Sequence, residues 1–168
     1  MKTILDLHDL LVEQLRELYD AEVFLREVLP DIKENVWHSG LSRVIDEYEH
    51  QATENHMTLL QVFNDLFTLE YGERSYAIRS MIKYNMSVVE ACQTPEITDA
   101  AIVLMLQQIM HFKMASYGAV CTYAKILGVY NDGEMLHEIL NAEKRLDRKL
   151  VALADLDIDR KAFNYDRC

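Results

Sequence analysis

Residues 7–29 read LHDLLVEQLRELYDAEVFLREVL, and apolar residues recur in this stretch at every third or fourth position. Such spacing places them on one face of an α-helix. The face consists of Leu7, Leu11, Leu15, Leu18, Leu25 and Leu29, and it is interrupted by Glu22. The stretch therefore predicts a helix with one carboxylate in the middle of its apolar side.

Three later segments have the same periodicity and predict three further long helices. They run from Leu41 to about Leu66, from Pro95 to Gly128, and from about Asn131 to Leu153. Thr94 and Pro95 suit the start of the third segment, and Gly128 suits its end, because these residue types favour helix termini. A shorter helix is predicted from about Ser75 to Cys92.

Two features break the regular pattern. Pro30 lacks a backbone N–H, so we expect the first helix to bend there while its apolar pattern continues through Val36 and Trp37. From Asp155 onward the pattern fades, which predicts a bundle over residues 1–155 and a charged tail over residues 156–168.

The chain's composition narrows the class of protein. Its 168 residues predict one domain, and only 5 Gly and 2 Pro are too few for the turns of an all-β fold. The net charge of −11 argues against nucleic acid or an anionic membrane as the partner. No apolar run reaches the roughly 18 residues of a membrane span, and three widely spaced cysteines fit the reducing cytoplasm.

The connections between the predicted helices define a topology. Short turns join the first helix to the second and the third to the fourth, while a long crossover containing the short helix joins the two pairs. One long crossover is the connectivity of ferritin-like bundles. The prediction is an all-α, ferritin-like four-helix bundle with a short extra helix in the crossover.

Each long helix carries a polar residue on its apolar face, and this is the main functional signal. Charged side chains are rarely buried unless they are paired or bind metal. A shared interior site is therefore predicted, either a buried ion-pair network or a carboxylate site for iron or manganese. The candidate metal ligands are Glu22, His56, Glu143 and Asp147, with Lys113 on the third helix.

Several motifs resemble the stress-associated YciE/YciF branch of ferritin-like proteins across nearly the whole chain. They are Tyr19-Asp20-Ala21-Glu22, Glu54-Asn55-His56, His111-Phe112 followed by Ala115-Ser116-Tyr117-Gly118, and Glu143-Lys144 with Asp147. The resemblance implies a dinuclear metal site in that family. Here Thr53, Met110 and Lys113 stand where the family's motifs have carboxylates, so the four remaining ligands are a vestigial set.

The departure at Lys113 leads to a specific prediction. A buried carboxylate without a partner costs several kcal/mol, so the loss of metal requires another positive charge. Lys113 is therefore predicted to be buried within salt-bridge distance of Glu22, Glu143 or Asp147, with no metal in the interior.

Two functional interpretations follow. The favoured one is a stress-associated structural or interaction protein without catalytic activity or cofactor, which forms a homodimer through Tyr76, Met81 and Tyr84 of the crossover helix. The alternative is an iron or manganese enzyme acting on peroxide or oxygen, for which about six protein ligands are needed. A protein with a mononuclear metal site is an interpretation intermediate between these two. No motif indicates a protein that binds a small molecule.

Overall fold

The computed structural model describes residues 3–72 and 74–164, and within these ranges the chain is helical with no β-strand. This confirms the all-α prediction. The elements in chain order are α1 (Leu7–Lys33), α2 (Ser39–Asp65), α3 (Tyr76–Ala91), α4 (Pro95–Leu127), α5 (Tyr130–Leu153), a π-helical turn (Ala154–Ile158) and α6 (Asp159–Asn164).

The four long helices α1, α2, α4 and α5 form the bundle. Helix α1 packs against α2 and α4, and α5 packs against α2 and α4, while α3 lies in the crossover and packs on α4. None of the helices in the described residues combines the length and apolar character needed to cross a membrane.

The apolar core is divided into two clusters along the bundle axis. One cluster contains Leu25 and Leu146, and the other contains Leu18 and Leu140. In sequence, Glu22 lies between Leu18 and Leu25, and Glu143 lies between Leu140 and Leu146. A polar layer therefore separates the two apolar halves of the core.

The helix boundaries follow the predicted signals at most positions. The Thr94 side chain accepts a hydrogen bond from the Ile97 N–H at the start of α4, and Gly128 ends α4 with a φ of 78°. Helix α3 begins directly after Ser75. Helix α5 begins at Tyr130, one residue before the predicted start at about Asn131.

The end of α1 differs from the prediction. The helix continues past Pro30 but ends at Lys33. Val36 beyond it still packs against the core, but the apolar pattern does not include Trp37. The Trp37 side chain is 72% exposed, and its backbone N–H donates to Asp99 at 3.0 Å. Asp99 on α4 thereby fixes the connection between α1 and α2, which a pattern within one segment could not reveal.

The chain after Asp155 also differs from the charged tail that was predicted. It continues as the π-helical turn and α6 up to Asn164, and Ile158 is buried in the core. Because the neighbours of Ile158 in the sequence are polar, the apolar pattern did not indicate that this residue is buried. The division into domains 1–155 and 156–168 stays a prediction, and residues 165–168 lie outside the described residues.

Candidate functional site

The polar layer of the bundle has at its centre one side chain of each long helix, and two buried tyrosines, Tyr48 and Tyr117, adjoin them. The four central side chains are Glu22 of α1, Asn55 of α2, Lys113 of α4 and Glu143 of α5. Three of them have no exposed surface, and Asn55 is 2% exposed. The bundle interior therefore contains a shared polar site, with its members at equivalent heights on four helices.

Lys113 lies between the two carboxylates. Its Nζ is 2.7 Å from Glu143 Oε1 and 2.9 Å from Glu22 Oε2, which is the predicted geometry for this side chain. The ammonium is also 3.4 Å from the Tyr48 hydroxyl and 4.8 Å from the centre of the Tyr48 ring. A cation thus occupies the centre of the layer.

Asn55 and Tyr117 supply the remaining donors. The Asn55 amide donates to Glu22 Oε1 at 3.1 Å and to Glu143 Oε1 at 3.2 Å. The Tyr117 hydroxyl donates to Glu22 Oε1 at 2.7 Å. Each carboxylate therefore bridges Lys113 and Asn55, and the four side chains form a closed ring of hydrogen bonds.

The ring carries one more negative charge than positive charge when both carboxylates are ionised. Glu143 Oε2 is buried and has no hydrogen-bond partner among the described residues. Burial raises the pKa of Glu143 to about 7, although Lys113 opposes the shift. Burial alone would lower the pKa of Lys113, but Glu143 and Glu22 raise it above its ordinary value. At neutral pH the layer is therefore close to taking up one proton.

The two tyrosines of the layer remain neutral hydroxyls. Burial raises the pKa of both Tyr48 and Tyr117 well above the ordinary value, and the neighbouring carboxylates raise it further. They act here as hydrogen-bonding groups rather than as ionised ligands.

Two of the four candidate ligands lie outside the layer. His56 is half-buried between α1 and α2, where its Nε2 is 3.0 Å from the Tyr19 hydroxyl and its Nδ1 is 3.3 Å from Arg26. Burial and the Arg26 charge lower the pKa of His56. Asp147 instead contacts the exposed ring of His111 at 3.1 Å. Only Glu22 and Glu143 of the predicted set meet at the centre.

Sequence reasoning missed Asn55 because His56 fits the same pattern. Ala52 and Leu59 are buried, and either residue 55 or residue 56 lies three or four positions from each of them. Tyr48 and Val62, which are also buried, lie seven residues on either side of Asn55. That heptad spacing, typical of packed helices, favours Asn55 over His56.

The residues of the layer do not fit a dinuclear metal centre. Such a centre needs about six protein ligands, whereas this layer offers two carboxylates, an amide and two neutral tyrosines around an ammonium. Three of the four carboxylate oxygens already accept hydrogen bonds. A possible metal-binding group among the described residues is Asp6, His8 and Asp9 at the surface, where Asp6 caps α1.

The fold and the layer together define an all-helical bundle with a buried, ionised centre. The chain belongs to the family described as "Domain of unknown function (DUF892)", whose model matches residues 6–163. It is 28% identical over 165 residues to "Protein YciF" of Escherichia coli (strain K12), and the match covers 98% of both chains. These findings confirm the resemblance to the YciF branch.

Two solved structures share this fold. The crystal structure of the E. coli stress protein YciF matches with a TM-score of 0.87 and 26% identity, over 95% of this chain and 99% of that one. YcfI from Rhodopseudomonas palustris, described as a candidate structural protein, matches with a TM-score of 0.86 and 30% identity. That match covers 89% of this chain and 95% of the other.

Proposed function

We propose that this chain is a YciF-type, stress-associated structural protein in which a Lys113 ion pair has replaced a dinuclear metal centre. The observation that carries the proposal is the position of the Lys113 ammonium, which lies within 3 Å of both Glu22 and Glu143. A metal cation at the same place would be repelled by that ammonium. The positive charge between the two carboxylates is instead supplied by a residue of the chain itself.

The chemistry of the layer supports a structural role. Catalysis by a metal centre requires an open coordination position for substrate or water. Here Lys113, Asn55 and Tyr117 saturate Glu22, and the layer is closed off from solvent by the two apolar clusters. Such a layer fixes the register of four helices without presenting a reactive group to a substrate.

We further propose a homodimer in the cytoplasm. Support for the location comes from Cys92 and Cys121, which are free thiols and suit a reducing compartment. Support for the dimer comes from Tyr76 and Tyr84 of α3, which are 70% and 68% exposed. Aromatic side chains are enriched at the interfaces of protein complexes.

The experiment is metal analysis of protein purified after growth with added iron and manganese. We expect the wild-type chain to contain neither metal in stoichiometric amount. The variant with Asn55→Glu, Met110→Glu and Lys113→Glu places three further carboxylates at buried positions of α2 and α4, and it is expected to gain iron or manganese.

Lys149→Glu is the control for the change at Lys113, because it makes the same lysine-to-glutamate substitution at the surface, where Lys149 pairs with Glu47. It should bind no more metal than the wild type. One or two iron or manganese ions bound per wild-type chain would contradict the proposal and support the di-iron or di-manganese alternative.

A further inference from the structure

The outward side of α4 lacks the acidic residues found on the rest of the molecule. Residues 100–131 contain no Asp or Glu, although the chain has 28 in 168 residues, or one in six. A surface helix normally carries charged residues on its solvent side. We define the acid-free face as the exposed α4 side chains Leu104, Gln108, His111, Ala115, Thr122 and Ile126.

The acid-free face includes large apolar side chains in contact with solvent. Leu104 is 50% exposed and Ile126 is 67% exposed. Beside them, α3 exposes Tyr84 and Val88, and residues 74–89 of this flank also contain no carboxylate. At the opposite rim, Asp147 of α5 is partly buried and bonded to His111.

We infer that the acid-free face is the surface through which two copies of this chain pair, with their α4 helices antiparallel and crossing at Ala115. This inference rests on the homodimer proposed above and assigns its interface. The net charge of −11 on each copy opposes association wherever carboxylates would meet. The acid-free face is a region where two copies can approach without that repulsion.

The charge distribution also favours a second copy of the chain over a cationic protein as the partner of this face. A cationic protein would be attracted to the faces that carry exposed acids, such as Glu27 on α1, Glu47 on α2 and Glu138 on α5. The acid-free face offers it no counter-charge. A largely neutral and partly apolar partner surface suits this face better, and the chain itself provides one.

The order of side chains along α4 is complementary to itself. Leu104 and Ile126 each lie eleven residues from Ala115, which is three helical turns. A two-fold axis at Ala115 therefore places Leu104 of one copy opposite Ile126 of its partner, and both are apolar. Gln108 and Thr122 each lie seven residues from Ala115, so the same axis pairs two polar side chains.

The centre of this arrangement permits a close approach of the helices. Ala115 has a small side chain, and Gly118 has open space around the position of a Cβ atom. Small residues at a crossing allow a short distance between helix axes, and side chains three turns away still meet when the crossing angle is about 20°.

The size of the surface is adequate for a stable dimer. Residues 104–126 span roughly 33 Å of helix, and two adjacent helices are about 20 Å wide. The face with its α3 flank therefore covers on the order of 700 Å² on each copy, close to the about 800 Å² that each partner buries in a standard interface.

Sedimentation equilibrium of the full chain tests the inference. We expect a dimer at micromolar concentration, and we expect Leu104→Glu and Ile126→Glu each to weaken it by about tenfold or more. Met57→Glu is the matched control, since Met57 is an exposed apolar residue on α2. It adds the same charge away from the face and should leave the dimer unchanged. Circular dichroism identifies any variant that fails to fold.

A cross-linking experiment tests the two-fold axis directly. In a chain with Cys92→Ser, Cys121→Ser and Cys168→Ser, the substitution Ala115→Cys should give a covalent dimer with a short bis-maleimide, whereas Met57→Cys should not. A monomeric wild type overturns both the interface and the homodimer proposal. A dimer that resists Leu104→Glu, or that fails to cross-link at Ala115→Cys, overturns the interface alone. Neither result affects the metal analysis.

Discussion

Lys113 is the residue on which the polar layer depends most. Two ionised carboxylates and an ammonium are all desolvated when they are buried, and their attraction only partly offsets that cost. The net contribution of the intact ring to stability is therefore small. Removing one partner has a much larger effect, because the charges left behind remain without compensation.

Lys113→Ala should lower the free energy of unfolding by roughly 3–5 kcal/mol, the loss typical of a broken buried ion pair. Urea unfolding followed by circular dichroism measures this. Lys149→Ala removes a half-exposed lysine from its pair with Glu47, and it should cost at most about 1 kcal/mol. Equal losses for the two variants would show that the buried ring has no special role.

Whether a residue of the layer could be predicted depends on its charge. Glu22, Lys113 and Glu143 interrupt apolar faces, and a buried charge requires a partner. The sequence alone was therefore enough to predict that these three side chains meet. Asn55 is neutral and competes with His56 for the same position on α2. Asp147 is one turn from Glu143 on the same helix, but it contacts His111 instead. Which of two neighbouring residues faces the interior is decided by the rotation of the helix about its own axis. That rotation depends on the packing between helices.

At the scale of elements, His38 joins two parts of the chain. Its Nδ1 accepts hydrogen bonds from the N–H groups of Gly40 and Leu41 at 3.1 and 3.2 Å, which caps the start of α2. Its Nε2 is 2.8 Å from Asp157 of the π-helical turn. Because Nδ1 accepts these two hydrogen bonds, the neutral ring has its N–H group at Nε2. This N–H donates a hydrogen bond to Asp157.

Gly40→Ala should destabilise the protein by about 1–3 kcal/mol, the usual cost of overpacking. A Cβ on Gly40 would lie 2.9 Å from His38 Cε1 and 3.2 Å from Leu153 Cδ1, so the ring that caps α2 would have to move. Thermal unfolding measures the effect.

Gly133→Ala is the control for this substitution. Its Cβ would lie 3.4 Å from that of Ala124, an ordinary contact, and replacing a glycine within a helix should stabilise the protein by about 0.5–1 kcal/mol. If both variants were stabilised, the close approach of His38 to Gly40 would be wrong.

Ile158→Ala tests whether the last helical turns belong to the bundle. Ile158 is 2% exposed and packs in the core, so its truncation should cost about 2–5 kcal/mol. Leu156 is 70% exposed, and Leu156→Ala should change stability by at most about 0.5 kcal/mol. Chemical denaturation of both variants gives the comparison, and a negligible effect of Ile158→Ala would restore the interpretation of this segment as a tail.

For the whole molecule, helical periodicity and connection length were enough to predict the bundle. Four long apolar stripes need partners, and the short turns after α1 and α4 restrict how the helices can pair. The contacts that the sequence could not predict join distant segments, such as Asp99 with Trp37 and His38 with Asp157. Each depends on the bundle already being assembled, so no local pattern encodes it.

The buried charge should make the stability of the whole molecule depend on pH. Burial raises the pKa of Glu143 to about 7 from its ordinary 4.5. Between these values the folded chain holds a proton that the unfolded chain has released, so the contribution of Glu143 to stability is full below about pH 4.5 and is lost as the pH rises through 7. The loss from this group amounts to about 3 kcal/mol at most.

Glu143→Gln removes this titration while it keeps a polar side chain of the same shape. The difference in unfolding free energy between wild type and variant isolates Glu143 from the six histidines, which both proteins share. We expect the wild type to lose stability relative to Glu143→Gln as the pH rises from 5 to 8. Parallel stability curves over this range would show that Glu143 is ionised throughout, with its charge fully balanced by Lys113.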